Sequence, residues 1–219
     1  MRLRNVRGAR EALAESRYVE AEPEAHRGAW RVVFGNENPI HMEIGMGKGK
    51  FLLELALLHP DINYIGVEMY ASVLIRAVQK LDDMPEIPNL RFLNVPAEAL
   101  EAMFAPGEVE RIYLNFSDPW PKARHAKRRL TSPVFLKRYE GILREGGLLE
   151  FKTDNRDLFE YSLESVEAGG WTVLISTFDL HGDEELCREN VMTEYEQKFS
   201  GRGQAICKLV AFHGWDGSR

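Results

Sequence analysis

The 219-residue sequence has only two cysteines, Cys187 and Cys207, with no CxxC pair and no histidine cluster nearby. This scarcity excludes a disulfide-built scaffold and a structural zinc site, and both cysteines read as ordinary thiols of a reducing compartment. No apolar run approaches the roughly 20 residues that cross a bilayer, so no membrane contact is expected. The basic start MRLRNVRGAR leads into EALAESRYVE instead of an apolar core, so no secretory signal is expected and a cytoplasmic location is. Internal repeats and low-complexity segments are absent as well. A composition of 44% hydrophobic and 28% charged residues fits an ordinary globular chain with a core of its own.

Acid is missing from two stretches. Residues 1–10 hold Arg2, Arg4, Arg7 and Arg10, and residues 120–130 hold Lys122, Arg124, Lys127, Arg128 and Arg129. Of 28 basic residues these are nine, which leaves 19 against all 34 acids, a balance of −15 over the rest. An acidic body with two basic patches suits a polyanion met at a defined place. A charge run of this kind can also be no more than a solvated face.

What is present is an alternation. PIHMEIG is followed by KFLLELALLHP, a helix that stops at Pro60, and then by NYIGVEM, a strand by its Tyr, Ile and Val. ASVLIRAVQKL places Val73/Ala77 and Leu74/Val78/Leu81 at helical spacing. LRFLNVP, RIYLNFSD, LLEFKTDN, WTVLISTFDL and GQAICKLVAFHG read as further strands, and AEALEAMF, SPVFLKRYEGILREGG and RDLFEYSLESVEAGG as helices. The pattern predicts an α/β, doubly wound, mostly parallel, Rossmann-like sheet. Its last two strands lack a crossover helix, so an antiparallel edge strand is expected. Two segments follow: a basic, flexible or RNA-binding arm over 1–29 and one domain over 30–219.

Ligands of such sheets lie beyond the carboxyl ends of the strands. The first end is EIGMGKG, with Glu43 and glycines Gly45, Gly47 and Gly49. Nineteen residues after Gly49, Glu68 ends the second strand, where a carboxylate can accept both protons of a ribose diol. The spacing is not that of a dinucleotide fingerprint, and the acid beside the turn suits a cation better than a pyrophosphate. S-adenosylmethionine carries an amino group and a sulfonium and no phosphate, so it is favoured over a nicotinamide dinucleotide. The third end, NVPAEAL, would reach the adenine through Pro96, Ala97 and Glu98. Pro96 has no N–H, which makes Ala97 and Glu98 the better donors. A glycine-rich turn that binds nothing is the bland alternative.

The fourth strand delivers Ser117-Asp118-Pro119-Trp120-Pro121. Prolines on both sides of Trp120 make the turn rigid, and the Lys/Arg run beyond it suits phosphate. A basic loop beside a methyl donor implies a nucleic-acid methyl acceptor. Taken singly, Asp118 could be a turn residue before proline, Trp120 a core residue and Asp154-Asn155 the cap of the next helix. His125 reads as a surface or phosphate-facing side chain.

EIGMGKG, GVE, NFSDPWPKARHAKRRL, FKTDN and TEYEQKF stand in the order and spacing of the bacterial tRNA (guanine-N7-)-methyltransferases, which the chain resembles over essentially its whole length. The resemblance implies a class I S-adenosylmethionine-dependent methyltransferase fold over 30–219, with tRNA as partner, no metal, and a monomer or homodimer. It implies methylation of a guanine in the tRNA variable loop. Glu43, Glu68 and Asp118 match donor-site positions, and Asp118 also matches the catalytic aspartate. Lys122, Asp154 and Thr193-Glu194-Tyr195-Glu196 match positions that meet the substrate. Arg124, Lys127, Arg128 and Arg129 are candidates for RNA phosphate. Two positions depart from the pattern: Pro96 near the adenine, and Met46 in the turn, where a smaller residue is common and a reshaped pocket is expected.

Guanine N7 offers a lone pair without losing a proton, so Asp118 is expected to position and to stabilise charge, not to act as a base. The rivals are a methyltransferase of another RNA base, a noncatalytic RNA-binding module with a residual donor pocket, and a nicotinamide-dependent oxidoreductase.

Overall fold

The computed structural model describes residues 6–214; Arg2 and Arg4 of the expected basic arm lie outside them. Seven strands and flanking helices build a mixed sheet, the α/β class expected. The chain divides into two compact units, Met1–Ala105 and Pro106–Arg219.

In the first unit the elements are α1 (Ala9–Ala14), α2 (Trp30–Phe34), β1 (Ile40–Ile44), α3 (Lys50–Leu58), β2 (Asn63–Val67), α4 (Ala71–Leu81), β3 (Leu90–Leu93) and α5 (Leu100–Met103). β2 pairs in parallel with β1 and with β3, in a register that sets Glu43 beside Gly66. Every residue of β1 and β2 is buried, as expected for parallel strands covered on both faces. The apolar stripe of α4 is Leu74, Ile75, Ala77, Val78 and Leu81.

Much of the segment before Trp30 is tied to this unit. α1 buries Ala9 and Leu13 and packs on α4. The Tyr18 carbonyl accepts from Phe92 N–H at 2.6 Å and Glu20 N–H donates to the Phe92 carbonyl at 3.0 Å. These bonds cover the free edge of β3 with a short parallel bridge. Trp30 is fully buried, stacked on Phe104, and donates from Nε1 to the Met103 carbonyl at 2.9 Å.

The second unit comprises β4 (Val109–Asn115), α6 (Pro133–Glu140), β5 (Leu143–Thr153), α7 (Arg156–Ala168), β6 (Thr172–Thr177), α8 (Glu184–Arg188), α9 (Glu194–Ser200) and β7 (Cys207–Phe212). β4 and β5 are parallel, and β7 is antiparallel to both β5 and β6. The two last strands therefore pair antiparallel at one end of the sheet, with β7 inserted between β5 and β6. Asn155 caps α7, its side chain accepting from Leu158 N–H at 2.8 Å, as the sequence suggested.

One element is shorter than expected. The helix foreseen across SPVFLKRYEGILREGG stops at Glu140, and Leu143–Thr153 is a single long strand. Gly146 lies at φ +70° in the left-handed region, and a β-carbon on Gly147 would lie 2.8 Å from the Arg144 carbonyl. The glycines read as a helix breaker are instead an irregularity inside β5, where the pairing with β4 shifts register.

Candidate functional site

The glycine turn after β1 is bent by conformations open to glycine: Gly45, Gly47 and Gly49 have φ of +77°, +58° and +73°. The amides of Gly45 and Met46 both bond the Val67 carbonyl at 2.9 and 3.1 Å, which ties the turn to the end of β2. Nothing lies within 4 Å of a β-carbon built on Gly45 or Gly47, whereas one on Gly49 would lie 2.8 Å from Met46 Cε and 2.9 Å from Ala77 Cβ. The first two glycines leave open space at the turn, and the third lets α3 start tightly against α4. Met46 does not narrow that space. It is 5% exposed, and its thioether fills the volume that a side chain on Gly66 would need.

Both acids of this turn are held inside. Glu43 is 2% exposed and Glu68 7%. Glu68 Oε2 accepts from Gly47 N–H at 3.2 Å and Oε1 from Tyr70 N–H at 2.9 Å. Two backbone amides thus fix the orientation of this carboxylate, an acceptor of the kind a diol needs. Its charge beside the Gly47 amide also opposes a phosphate, which would need that N–H itself. At the end of β3, Pro96 is exposed and its carbonyl accepts from Ala99 N–H at 3.0 Å. The turn Ala97–Ala99 thus opens with the amides of Ala97 and Glu98 at positions that lack an intrahelical acceptor.

In the second unit β4 ends at Asn115 and the chain enters the Asp118 turn. Phe116 at φ +52° and Trp120 at φ +41° are the non-glycine residues in the left-handed region among those described. Two bulky aromatics there cost about 1–3 kcal/mol each, and such strain gathers at functional sites. Asp118 is exposed between them. Phe116 N–H donates to the Lys152 carbonyl at 2.8 Å. Trp120 is half-buried, not a core residue, with the Arg128 guanidinium 4.9 Å over its ring and His125 edge-on at 5.6 Å. Lys122, Arg124, Lys127 and Arg128 are exposed. Arg129 differs: it donates from Nε to the Pro119 carbonyl at 3.1 Å and from a terminal nitrogen to the Trp120 carbonyl at 3.2 Å.

Asp154, at the end of β5, accepts at Oδ2 from the Tyr195 hydroxyl at 2.8 Å and from Gln204 Nε2 at 2.7 Å. The Tyr195 ring lies 4.8 Å from Phe116 and 4.2 Å from Phe199. Partial burial, then the bond to Asp154 and its charge, push the Tyr195 hydroxyl up to about 12. The structure thus brings Asp154, Tyr195 and the Asp118 turn together through Phe116.

Within the Thr193–Glu196 motif the four residues part ways. Thr193 caps α9, accepting from Glu196 N–H at 3.0 Å, and Glu194 is exposed. Glu196 has no exposure at all. Its carboxylate takes Lys152 Nζ at 2.7 Å and Asn190 Nδ2 at 2.7 Å. His181 Nε2 lies 3.2 Å away without the alignment of a hydrogen bond. Lys152, equally buried, also donates to Asn190 Oδ1 at 3.0 Å and to the Val191 carbonyl at 2.9 Å. Glu196 was expected to meet the substrate, and its oxygens are turned inward to anchor α9 on β5.

Phe116, Lys152, Gln204 and the inward role of Arg129 were not foreseen. A lysine between two inward-facing strand residues, Phe151 and Thr153, was the available signal for Lys152; Gln204 offered none. Among the described residues no cluster of three or more His, Cys, Asp or Glu could hold a metal, and no helix is long and apolar enough to cross a membrane.

Residues 37–209 match the model of a family described as "Putative methyltransferase". A tRNA (guanine-N(7)-)-methyltransferase of Lachnoclostridium phytofermentans is 57% identical over 97% of this chain and 98% of its own length. One of Geobacillus sp. is 54% identical over 94% and 93%. Among solved structures, the 16S rRNA methyltransferase KamB aligns with a TM-score of 0.63 at 15% identity, covering 86% of this chain and 94% of its own. A 16S rRNA (adenine(1408)-N(1))-methyltransferase of Catenulisporales acidiphilia, solved with cosubstrate SAM, aligns at 0.60 and 15% identity over 91% and 95%. At that identity the structural likeness speaks for the fold, that of the class I methyltransferases.

Proposed function

The chain belongs to the bacterial tRNA (guanine-N7-)-methyltransferase family, and on that premise we propose that it methylates N7 of a guanine in the variable loop of tRNA, with S-adenosylmethionine as donor. The domain that does so spans 30–219. The tRNA substrate puts its place of action in the cytoplasm.

The residues of the first unit fit the donor. The open space at Gly45 and Gly47 leaves room for a ligand against the backbone. Glu68, oriented by two amides, would hold the ribose diol; Glu43 and the turn would hold the amino-acid end, and Ala97 and Glu98 the adenine beside Pro96. When bound, the donor supplies an electrophilic methyl on a sulfonium.

The second unit would hold the acceptor. Guanine N7 already carries a lone pair, so no side chain has to remove a proton from it. Asp118 would accept hydrogen bonds from the guanine amide edge and stabilise positive charge growing on the ring. Asp154 and Tyr195 would complete recognition, with Lys122, Arg124, Lys127 and Arg128 at RNA phosphates. Arg7 and Arg10 of the N-terminal arm are also exposed and would meet phosphate as well. Adenine lacks the donor pattern that carboxylates read on guanine. Alignment of the attacking nitrogen with the methyl can lower the barrier by several kcal/mol.

The observation that carries this reading is the exposed Asp118 held between two left-handed aromatics, with a solvent-facing cationic run behind it. Labelled-methyl transfer to unmodified tRNA tests it. A variable-loop guanosine should accept label and an adenosine there should not, and Asp118→Ala should lose nearly all turnover. Near-normal turnover by that variant would refute the role of Asp118.

A further inference from the structure

We propose that Arg129 is a positioning residue for the methyl-transfer site, bracing the Asp118 turn from behind instead of binding RNA phosphate. The proposal rests on the reading of Asp118 given above.

The turn cannot brace itself. Pro119 and Pro121 carry no N–H, and the backbone at Phe116 and Trp120 is strained. Strained conformations persist only where the surroundings over-determine them. The Arg129 guanidinium donates to the carbonyls of both Pro119 and Trp120, the two residues that directly follow Asp118. Its guanidinium carbon also lies 4.2 Å from the centre of the Tyr161 ring, on α7. Charge-assisted bonds of this kind are stronger than neutral ones, and α7 is a 13-residue helix, a firm base for a loop.

Its neighbours in the basic run serve otherwise. Lys127 and Arg128 face solvent, whereas Arg129 is half-buried. The run KRR therefore divides into two exposed cations and one internal staple. Geometry also separates the staple from a phosphate-binding cation. Binding to phosphate tolerates lysine, because the charge remains. A staple tolerates it poorly, because an ammonium is a compact point charge without the planar fork that spans two carbonyls and packs on a ring.

Arg129→Lys and Arg129→Ala decide the matter, with Lys127→Ala as control. We expect Arg129→Lys to lower kcat at saturating tRNA about tenfold, since small misplacements of aligned groups are costly. tRNA affinity and its salt slope should stay unchanged, and amide exchange in the peptide 115–122 should quicken. Lys127→Ala should flatten the slope and leave exchange alone. Wild-type exchange and kcat in Arg129→Lys would overturn the proposal, as would a flattened salt slope with full saturating kcat in Arg129→Ala. Exchange is read without substrate, so it reports on the staple even if Asp118 proves dispensable. Should Arg129→Ala not fold, Arg129→Lys alone decides between staple and phosphate ligand.

Discussion

Lys152 and Glu196 form an ion pair of 2.7 Å in which neither side chain has any exposure. They are 44 residues apart, and they fasten α9, which carries Tyr195, to β5, which Asp154 directly follows. Removing one partner of such a pair leaves a buried charge without its counterion, at a cost of about 3–5 kcal/mol. Lys152→Met should lose that much in urea unfolding. Adding Glu196→Leu should restore part of it, since an apolar pair of similar volume is often neutral or stabilising. A single variant as stable as the parent would show that the pair does not anchor α9.

Gly45 and Gly49 have nearly the same φ, +77° and +73°, and different surroundings. Alanine at either meets left-handed strain of about 1–3 kcal/mol. At Gly49 it would also press on Met46 and on Ala77 of α4, and overpacking adds about 1–3 kcal/mol. Gly49→Ala should therefore be the less stable variant in urea unfolding. Gly45→Ala, with open space before it, should lose more in donor affinity by calorimetry than in stability.

The fold was legible where burial is two-sided and periodic. Five-residue apolar strands alternating with an amphipathic helix such as Ala71–Leu81 leave little choice of class. The segment after Glu140 was not legible. Ile142 and Leu143 continue the helical spacing of Phe135 and Tyr139, and only pairing with β4 makes Leu143 the start of a strand and Ile142 part of the turn before it. The glycine turn after β1 could be read because its left-handed backbone dictates glycine. Glu196 and Arg129 could not. Each lies in a motif of exposed residues of its own charge, and which one turns inward depends on a partner elsewhere in the chain, Lys152 in one case and Tyr161 in the other.

The Tyr195 hydroxyl gives a pH signature. Its folded value of about 12 lies above the ordinary value of 10.0, so between these the native state keeps a proton that the unfolded state loses. Stability from the neutral phenol is complete below pH 10 and is lost as pH rises toward 12. The stability difference between the parent and Tyr195→Phe should shrink over that window. Tyr195 is 40% exposed, and solvent screening makes the effect smaller than the shift alone suggests. From pH 7 to 9 the phenol stays neutral, so the two proteins should share the shape of their rate profile. A profile that changes shape on Tyr195→Phe would refute this.

Exposed cations behind the Asp118 turn should act on tRNA and not on the donor. Each cation removed from a phosphate should flatten the plot of log affinity against log salt by about one unit. Lys127→Ala should do so without disturbing the turn, because Lys127 faces solvent. Arg128→Ala should do so and also free the face of Trp120, over which its guanidinium lies at 4.9 Å, so its effect should exceed that of Lys127→Ala at equal salt. Donor affinity should be the same in both, since Glu43, Gly47 and Glu68, the residues proposed above for the donor, belong to the first unit. Filter binding across a salt series and calorimetry with S-adenosylmethionine measure the two quantities independently. A salt slope equal to the parent's in both variants would mean that the acid-free run of residues 120–130 solvates a face and meets no phosphate.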